Sequence, residues 1–400
     1  MAENVHRWTN PKILRWARER LGLSPEEVEA EARRLERHYY EPVSADELRA
    51  WERGQGEPTM AQLETLGEIY VCPVGYFFLD DIPKVAQPLS FRGLAKDKAE
   101  QLSSQTHRSL ERFIELAEWT VDLIRRAEIP WVVRIRPGQV EPQAQNAEKL
   151  AGEYRKLLGW TEKVRSGLRD AKEAFQWWRQ ALENQGIFCF ELPLDPGDIR
   201  GASLWYEGYP FILVNHQNAE AVTGRLFTLL HEFAHLISAS GNGIACDFRG
   251  ARKGENPEPF ANRFAARMLL PPEELKAHLE KSGELRFRQE WSNNRLKDLG
   301  RRFFVSRDVV AIMLQEMKLA PPDFYERRRA EWESEKPWGR GGKRPRQEEQ
   351  ALERFGYSLT RLLGQAMEKP EFSWADAASM MGMKVEKTEE FLRRVKVQNP

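Results

Sequence analysis

The sequence predicts an α+β fold that is mainly helical. Apolar residues recur at helical spacing over most of its 400 residues, whereas short apolar and aromatic runs broken by Gly and Pro cluster in one stretch, 187–214. A small antiparallel sheet is expected there. The length exceeds what one core usually sustains, so several units are expected: 1–82, a helical connector 83–145, a core 146–284, a helical extension 285–333, a linker 334–347 and a C-terminal helical unit 348–400.

At the N-terminal end, Ser24, Ser44 and Thr59 each stand where a cap should precede a periodic apolar stretch, which predicts a bundle of short helices over 10–82. Glu47 follows Ser44 at the spacing of a capping box, and the segment Gly54 to Pro58 separates two helices. The apolar run Val74 to Leu79 closes this unit. Apolar positions from Leu102 to Ile124 suit one long amphipathic helix spanning Ala99 to Arg126. Ala147 to Leu158 and Ala171 to Gln185 follow the same period.

Gly186 opens the strands, expected at Ile187–Leu192, Ala202–Tyr206 and Phe211–Val214. A long apolar helix from about Glu220 to Ser238 and another from about Pro257 to Leu270 come next. Residues 285–333 are helical again. The stretch from Lys336 to Gln347 is Gly/Pro/Arg-rich without apolar period, and Leu359, Leu362, Leu363, Ala366 and Met367 then mark the apolar face of a terminal helical unit.

Composition excludes little. Lys plus Arg and Asp plus Glu balance at 61 each, so net charge names no partner. Cys72, Cys189 and Cys246 are scattered singly, which suits a reducing compartment and a loop position for Cys246. The opening segment lacks an apolar run, and no long apolar stretch suggests a membrane span; a cytoplasmic location is expected.

The chemistry is expected in Leu230-His231-Glu232-Phe233-Ala234-His235. Two histidines four apart on a helix present both imidazoles on one face, close enough to share one zinc ion, and Glu232 between them is placed to act as general base. The third ligand is assigned to Glu258 on the next helix, with Glu255 as its rival. Asn262, one turn later, is the candidate to orient a ligand imidazole from behind. One zinc per chain is expected, although manganese suits the same two-histidine, one-carboxylate set. Candidate donors to the developing oxyanion are His216, Tyr206 and Tyr209, and the strand Phe211–Val214 could bind an extended peptide along its edge. Closed structural zinc sites favour cysteine, so this set points to hydrolysis of a peptide bond.

At these residues the sequence resembles the ImmA/IrrE family of metallopeptidases: the two-histidine helix is followed by Glu258, Ala261-Asn262, Phe264-Ala265 and Leu270-Pro271. Ser90-Phe91-Arg92, Gly186-Ile187, Arg200-Gly201 and Pro210 to Asn215 match upstream; Phe260 stands where the family often has an acid. The resemblance implies a gluzincin-like core and limited proteolysis of a regulatory protein, commonly a helix-turn-helix repressor, in stress response, mobile-element control or toxin–antitoxin modules.

The N-terminal unit resembles an XRE-type helix-turn-helix through Leu14, Ala17-Arg18, Gly22-Leu23-Ser24, Leu48, Trp51 to Gly54 and Pro58-Thr59. That implies Ser44, Arg49 and Arg53 as contacts to DNA or a partner. Ten basic against fourteen acidic residues over 1–75, and Asp46 and Glu47 on the expected recognition helix, weigh toward protein docking. An insertion at Arg33 to Tyr40 also lengthens the turn. Leu299 to Met313 looks like a second helix-turn-helix that serves packing.

Two functions stand. The first is a zinc endopeptidase that cuts a repressor or an antitoxin or toxin partner. The alternative is a DNA-binding regulator or antitoxin whose peptidase-like domain binds a partner without cutting. The oligomeric state stays open, a dimer among the options.

Overall fold

A computed structural model describes residues 9–35, 41–70, 72–82, 102–195, 197–216, 222–238, 243–248, 258–333 and 347–398. The chain divides into two compact units, 1–116 and 117–400. Ser90-Phe91-Arg92, Glu255, most of the expected insertion after Arg33 and all but the last residue of the expected linker 334–347 lie outside the described residues.

The first unit contains α1 (Pro11–Glu19), α2 (Pro25–Leu35), α3 (Ala45–Glu52), α4 (Met60–Tyr70) and a 3-10 turn at Val74–Phe78. Ser44 caps α3 in the full reciprocal box with Glu47. Gly54 and Gly56, at φ 75° and 77°, make the break that the sequence places between α3 and α4. Ile13, Leu14, Leu48, Leu63, Leu66 and Phe77 are buried together in one core. Across it Arg18 of α1 grips Glu52 of α3 with two hydrogen bonds, at 2.6 and 2.8 Å, and gives a third to the carbonyl of Leu23.

The unit boundary falls inside α5 (Ser104–Arg126). Next come α6 (Ala147–Leu158), α7 (Glu162–Gly167) and α8 (Ala171–Glu183), then β1 (Phe188–Leu192), β2 (Ile199–Tyr206), β3 (Tyr209–Asn215), α9 (Val222–Ser238), β4 (Gly243–Phe248) and α10 (Glu258–Leu269). α11 (Pro272–Lys281), α12 (Asn293–Phe303), α13 (Arg307–Glu316) and α14 (Phe324–Glu333) complete the middle of the chain. The last helices are α15 (Gln347–Ala366), α16 (Trp374–Met381) and α17 (Val385–Gln398). Among the described residues no helix is long and apolar enough to cross a membrane.

The sheet has the order β1-β3-β2-β4 and is mixed, which corrects the expected antiparallel sheet. Glu207 and Gly208, both at positive φ, turn β2 tightly into β3, and the hairpin lays β3 in the slot beside β1. β1 and β3 therefore run the same way, Phe188 opposite Phe211. Runs of consecutive apolar residues report burial on both faces and carry no information about direction. A second correction follows: β3 is paired on both sides, so its edge cannot receive a peptide, and β4 is the outer strand on that side. Cys246 lies in β4, opposite Ala202, where a loop was expected.

Residues alternate across β2, and Gly201, Ser203 and Trp205 face α9. Trp205 Nε1 donates to the carbonyl of Leu236 at 2.8 Å, which fixes the far end of that helix on the sheet. One apolar core joins α6, α8, α9 and α10 to the sheet face bearing Cys189, Ile212 and Val214. Leu299 to Met313, where a second helix-turn-helix serving packing was expected, falls in α12 and α13, with Leu299, Phe303, Val310 and Leu314 buried in that same core.

Candidate metal centre

α9 is apolar almost all round, and Leu226, Leu229, Leu230, Phe233, Ala234 and Ile237 are all fully buried. Such a helix belongs inside a core, and any polar group on it needs a partner to offset its desolvation. His231 is 0% and His235 3% exposed, so both imidazoles stand in that apolar setting. Their Nε2 atoms are 3.0 Å apart.

Glu258 is the first residue of α10, where the helix N-terminus favours a carboxylate. α10 is held against α9 by Phe264, whose ring lies 6.1 Å from that of Phe233, with Tyr154 of α6 edge-on to both. This packing brings Glu258 Oε2 to 3.2 Å from His231 Nε2, and Oε1 to 3.3 Å from His235 Nε2. Burial pushes the Glu258 carboxyl up, but the hydrogen bonds and charges of His231 and His235 outweigh it and bring the group down to about 2. It is an anion at neutral pH.

The two imidazole nitrogens and one oxygen of Glu258 offer three ligand atoms, all within 4.8 Å of one another. Zinc bonds of roughly 2.0–2.1 Å to nitrogen and oxygen imply ligand-to-ligand edges of about 3.3–3.4 Å. The imidazole nitrogens are 3.0 Å apart, and each has a different oxygen of the Glu258 carboxylate at 3.2 or 3.3 Å, separations of that order. Two imidazoles and one carboxylate form the kind of set that leaves a fourth position for the reaction. His231, His235 and Glu258 could thus hold a metal ion.

Glu232 is fully buried and lies on the face of α9 turned toward β2. Gly201 makes room for it: a Cβ there would stand 3.0 Å from Glu232 Cγ, 2.6 Å from Thr228 Cγ2 and 2.8 Å from the carbonyl oxygen of Leu213. The sequence flagged Gly201 only as part of a resemblance. The reason for glycine, room for a carboxylate between helix and strand, appears only in three dimensions.

The other candidates are not gathered here. Tyr206 and Tyr209 pair across the turn end of the hairpin, five or more residues along the strands from Gly201 and on the face opposite α9. Tyr206 is surrounded by Glu118, Glu207 and Arg125. His216 is exposed, its N–H bonded to the carbonyl of Leu192, and its charged surroundings are Glu191, Arg225, Arg354 and Glu353. Asn262 is exposed one turn beyond Glu258 and makes no hydrogen bond to either imidazole among the described residues. In the first unit, Ser44 is occupied as a cap, Arg49 pairs with Asp46 at 2.9 Å and with Glu26, and Arg53 is exposed.

Residues 182–315 match the family model of a peptidase domain described as IrrE N-terminal-like. The matched span runs from the end of α8 to α13 and contains the sheet, His231, Glu232, His235 and Glu258. The match supports a peptidase, a hydrolase acting on protein, and the matched family is one of metallopeptidases, which usually use zinc. Neither a search among curated proteins nor one among solved structures returned a match.

Proposed function

We propose that this chain is a zinc-dependent endopeptidase making a limited cut in a regulatory protein, of the helix-turn-helix repressor class or a toxin–antitoxin partner. The observation that carries the reading is the convergence of His231 Nε2, His235 Nε2 and the Glu258 carboxylate within 3.0–3.3 Å, beside a fully buried Glu232. His231, His235 and Glu258 would hold the metal, and zinc bound there would supply Lewis acidity to the reaction. Glu232 takes the proton of the attacking water and returns it to the leaving amide nitrogen. β4, the outer strand beside β2, offers main-chain groups to an extended substrate segment.

In this reading 146–284 is the gluzincin-like catalytic core, 1–82 an XRE-like recognition unit, and 285–333 and 348–400 helical additions. The exposed surface of α3 supports protein docking over DNA binding: the Asp46 side chain is 98% exposed, and Arg49 is already shared between Asp46 and Glu26. The regulator that binds without cutting would leave such a recognition unit intact. Glu232→Gln separates the two readings. It should keep zinc and abolish the new protein N-termini that appear when the wild-type chain is expressed, as read by terminal-amine proteomics. Identical N-termini from both forms would sink the base assignment, and none from either would favour the regulator.

A further inference from the structure

Away from the metal, α9 is anchored near its start by a chain of buried charges. Glu191 of β1 lies on the same strand face as Cys189, turned into the core and only 3% exposed. Its carboxylate receives two guanidinium groups, Arg179 Nη1 of α8 and Arg225 Nη1 of α9, each at 2.8 Å. Arg179 also stands 3.4 Å from Glu183 and gives a hydrogen bond to the carbonyl of Glu353 at 2.6 Å. Glu183 accepts the N–H of Tyr357 at 3.0 Å.

Between Glu353 and Tyr357, α15 is interrupted at Gly356, with φ 73° and ψ 174°. A Cβ at this residue would collide with Glu183 Oε1 and lie 2.8 Å from the carbonyl of Cys189. Positive φ and absent space together demand glycine. The C-terminal helical unit is therefore seated by its main chain on the same charges that grip α9.

Arg225 precedes Glu232 by seven residues, close to two full helical turns, so both lie on one face of α9 about 10 Å apart. Gly201 of β2 receives Glu232, and Glu191 of β1 receives Arg225. Two fixed points on one face set the rotation of a helix about its axis. A buried ion pair is seldom more stabilising than apolar packing, but it admits one register where apolar side chains could slide.

We propose that Glu191 and Arg225 are positioning residues for the metal helix, aiming His231 and Glu232, and that the C-terminal unit locks them through Gly356. The proposal rests on the zinc-site reading. Its test uses the full chain, zinc affinity by chelator competition, and hydrogen exchange resolved by segment. Glu191→Gln, Arg225→Met and Gly356→Val should each weaken zinc binding by about 10-fold or more. They should also speed exchange in 222–238 relative to β2 and β3. Arg225→Lys, which keeps the charge, should recover most of the loss caused by Arg225→Met.

Zinc affinity within twofold of wild type in folded Glu191→Gln overturns the proposal. Faster exchange spread evenly over the sheet and α9 also overturns it, since that marks plain destabilisation. If Gly356→Val does not fold, the isosteric Glu191→Gln decides alone. If the wild-type chain binds no zinc, the metal reading has failed, and selective exchange in 222–238 still decides the positioning role.

Discussion

Replacing Gly201 with alanine puts a methyl group into the gap between β2 and the metal helix. The added carbon would sit 2.6 Å from Thr228 Cγ2, whereas carbon atoms in contact settle at roughly 3.5–4.0 Å, so about 1 Å must be found. Leu213 O, at 2.8 Å, belongs to the doubly paired strand β3 and cannot yield, so α9 and Glu232 must. Overpacking of this kind costs about 1–3 kcal/mol, which lowers Tm by roughly 2–4 °C per kcal/mol in a unit of this size. A shift of about 1 Å in a catalytic group can cost about 100-fold in rate. His231 and His235 ride on the displaced helix, so zinc affinity should fall as well. Calorimetry, metal analysis and quantified new N-termini read these three effects separately. Gly152→Ala in α6 is the control: nothing lies within 4 Å of its added carbon, and helix propensity should raise stability by up to about 1 kcal/mol. Wild-type Tm and wild-type cleavage in Gly201→Ala would refute the reasoning.

Two further outcomes are expected from the buried charges. Burial pushes Glu183 up to about 7 against the opposing pull of Arg179 and the Tyr357 N–H. Its folded-state value therefore exceeds the unfolded one, and its contribution is complete below about 4.5 and lost as pH rises through 7. At about 1.4 kcal/mol per tenfold change in proton affinity the loss approaches about 3 kcal/mol. Urea unfolding between pH 5 and pH 8 should show this decline in the wild type and a flatter profile in Glu183→Gln; equal slopes would contradict it. In the first unit, Glu52→Gln leaves the Arg18 guanidinium without its bidentate partner and should destabilise that unit by roughly 3–5 kcal/mol. Hydrogen exchange of α1 and α3 at wild-type rates would rule this out.

Much of the local structure was legible because it depends on near neighbours. The Ser44–Glu47 box is present, and the expected helix Ala147–Leu158 matches the observed one to the residue. The expected metal helix is found over Val222–Ser238 and the next over Glu258–Leu269, while their expected starts near Glu220 and Pro257 lie outside the described residues. The two-histidine spacing likewise fixes a relation within one helix. The parallel pairing of β1 with β3 was not legible, because it depends on which slot the hairpin enters. β4 was missed because Gly243 to Phe248 carries Gly, Ala and Asp among its apolar residues and so lacks the apolar run that marks the other strands. Tyr206 and Tyr209 were near the site only in sequence number; strand alternation sends them to the opposite face of the sheet. Glu191 and Arg225 carried no signal, since charged residues in apolar stretches look alike whether they face solvent or each other.

The direct test of the metal centre is zinc stoichiometry across four single variants of the full chain, by mass spectrometry of the native protein. The wild type and Glu232→Gln should each carry one zinc, whereas His231→Ala, His235→Ala and Glu258→Ala should each lose it. One zinc retained in all three ligand variants, or none in the wild type, would contradict the three-ligand centre.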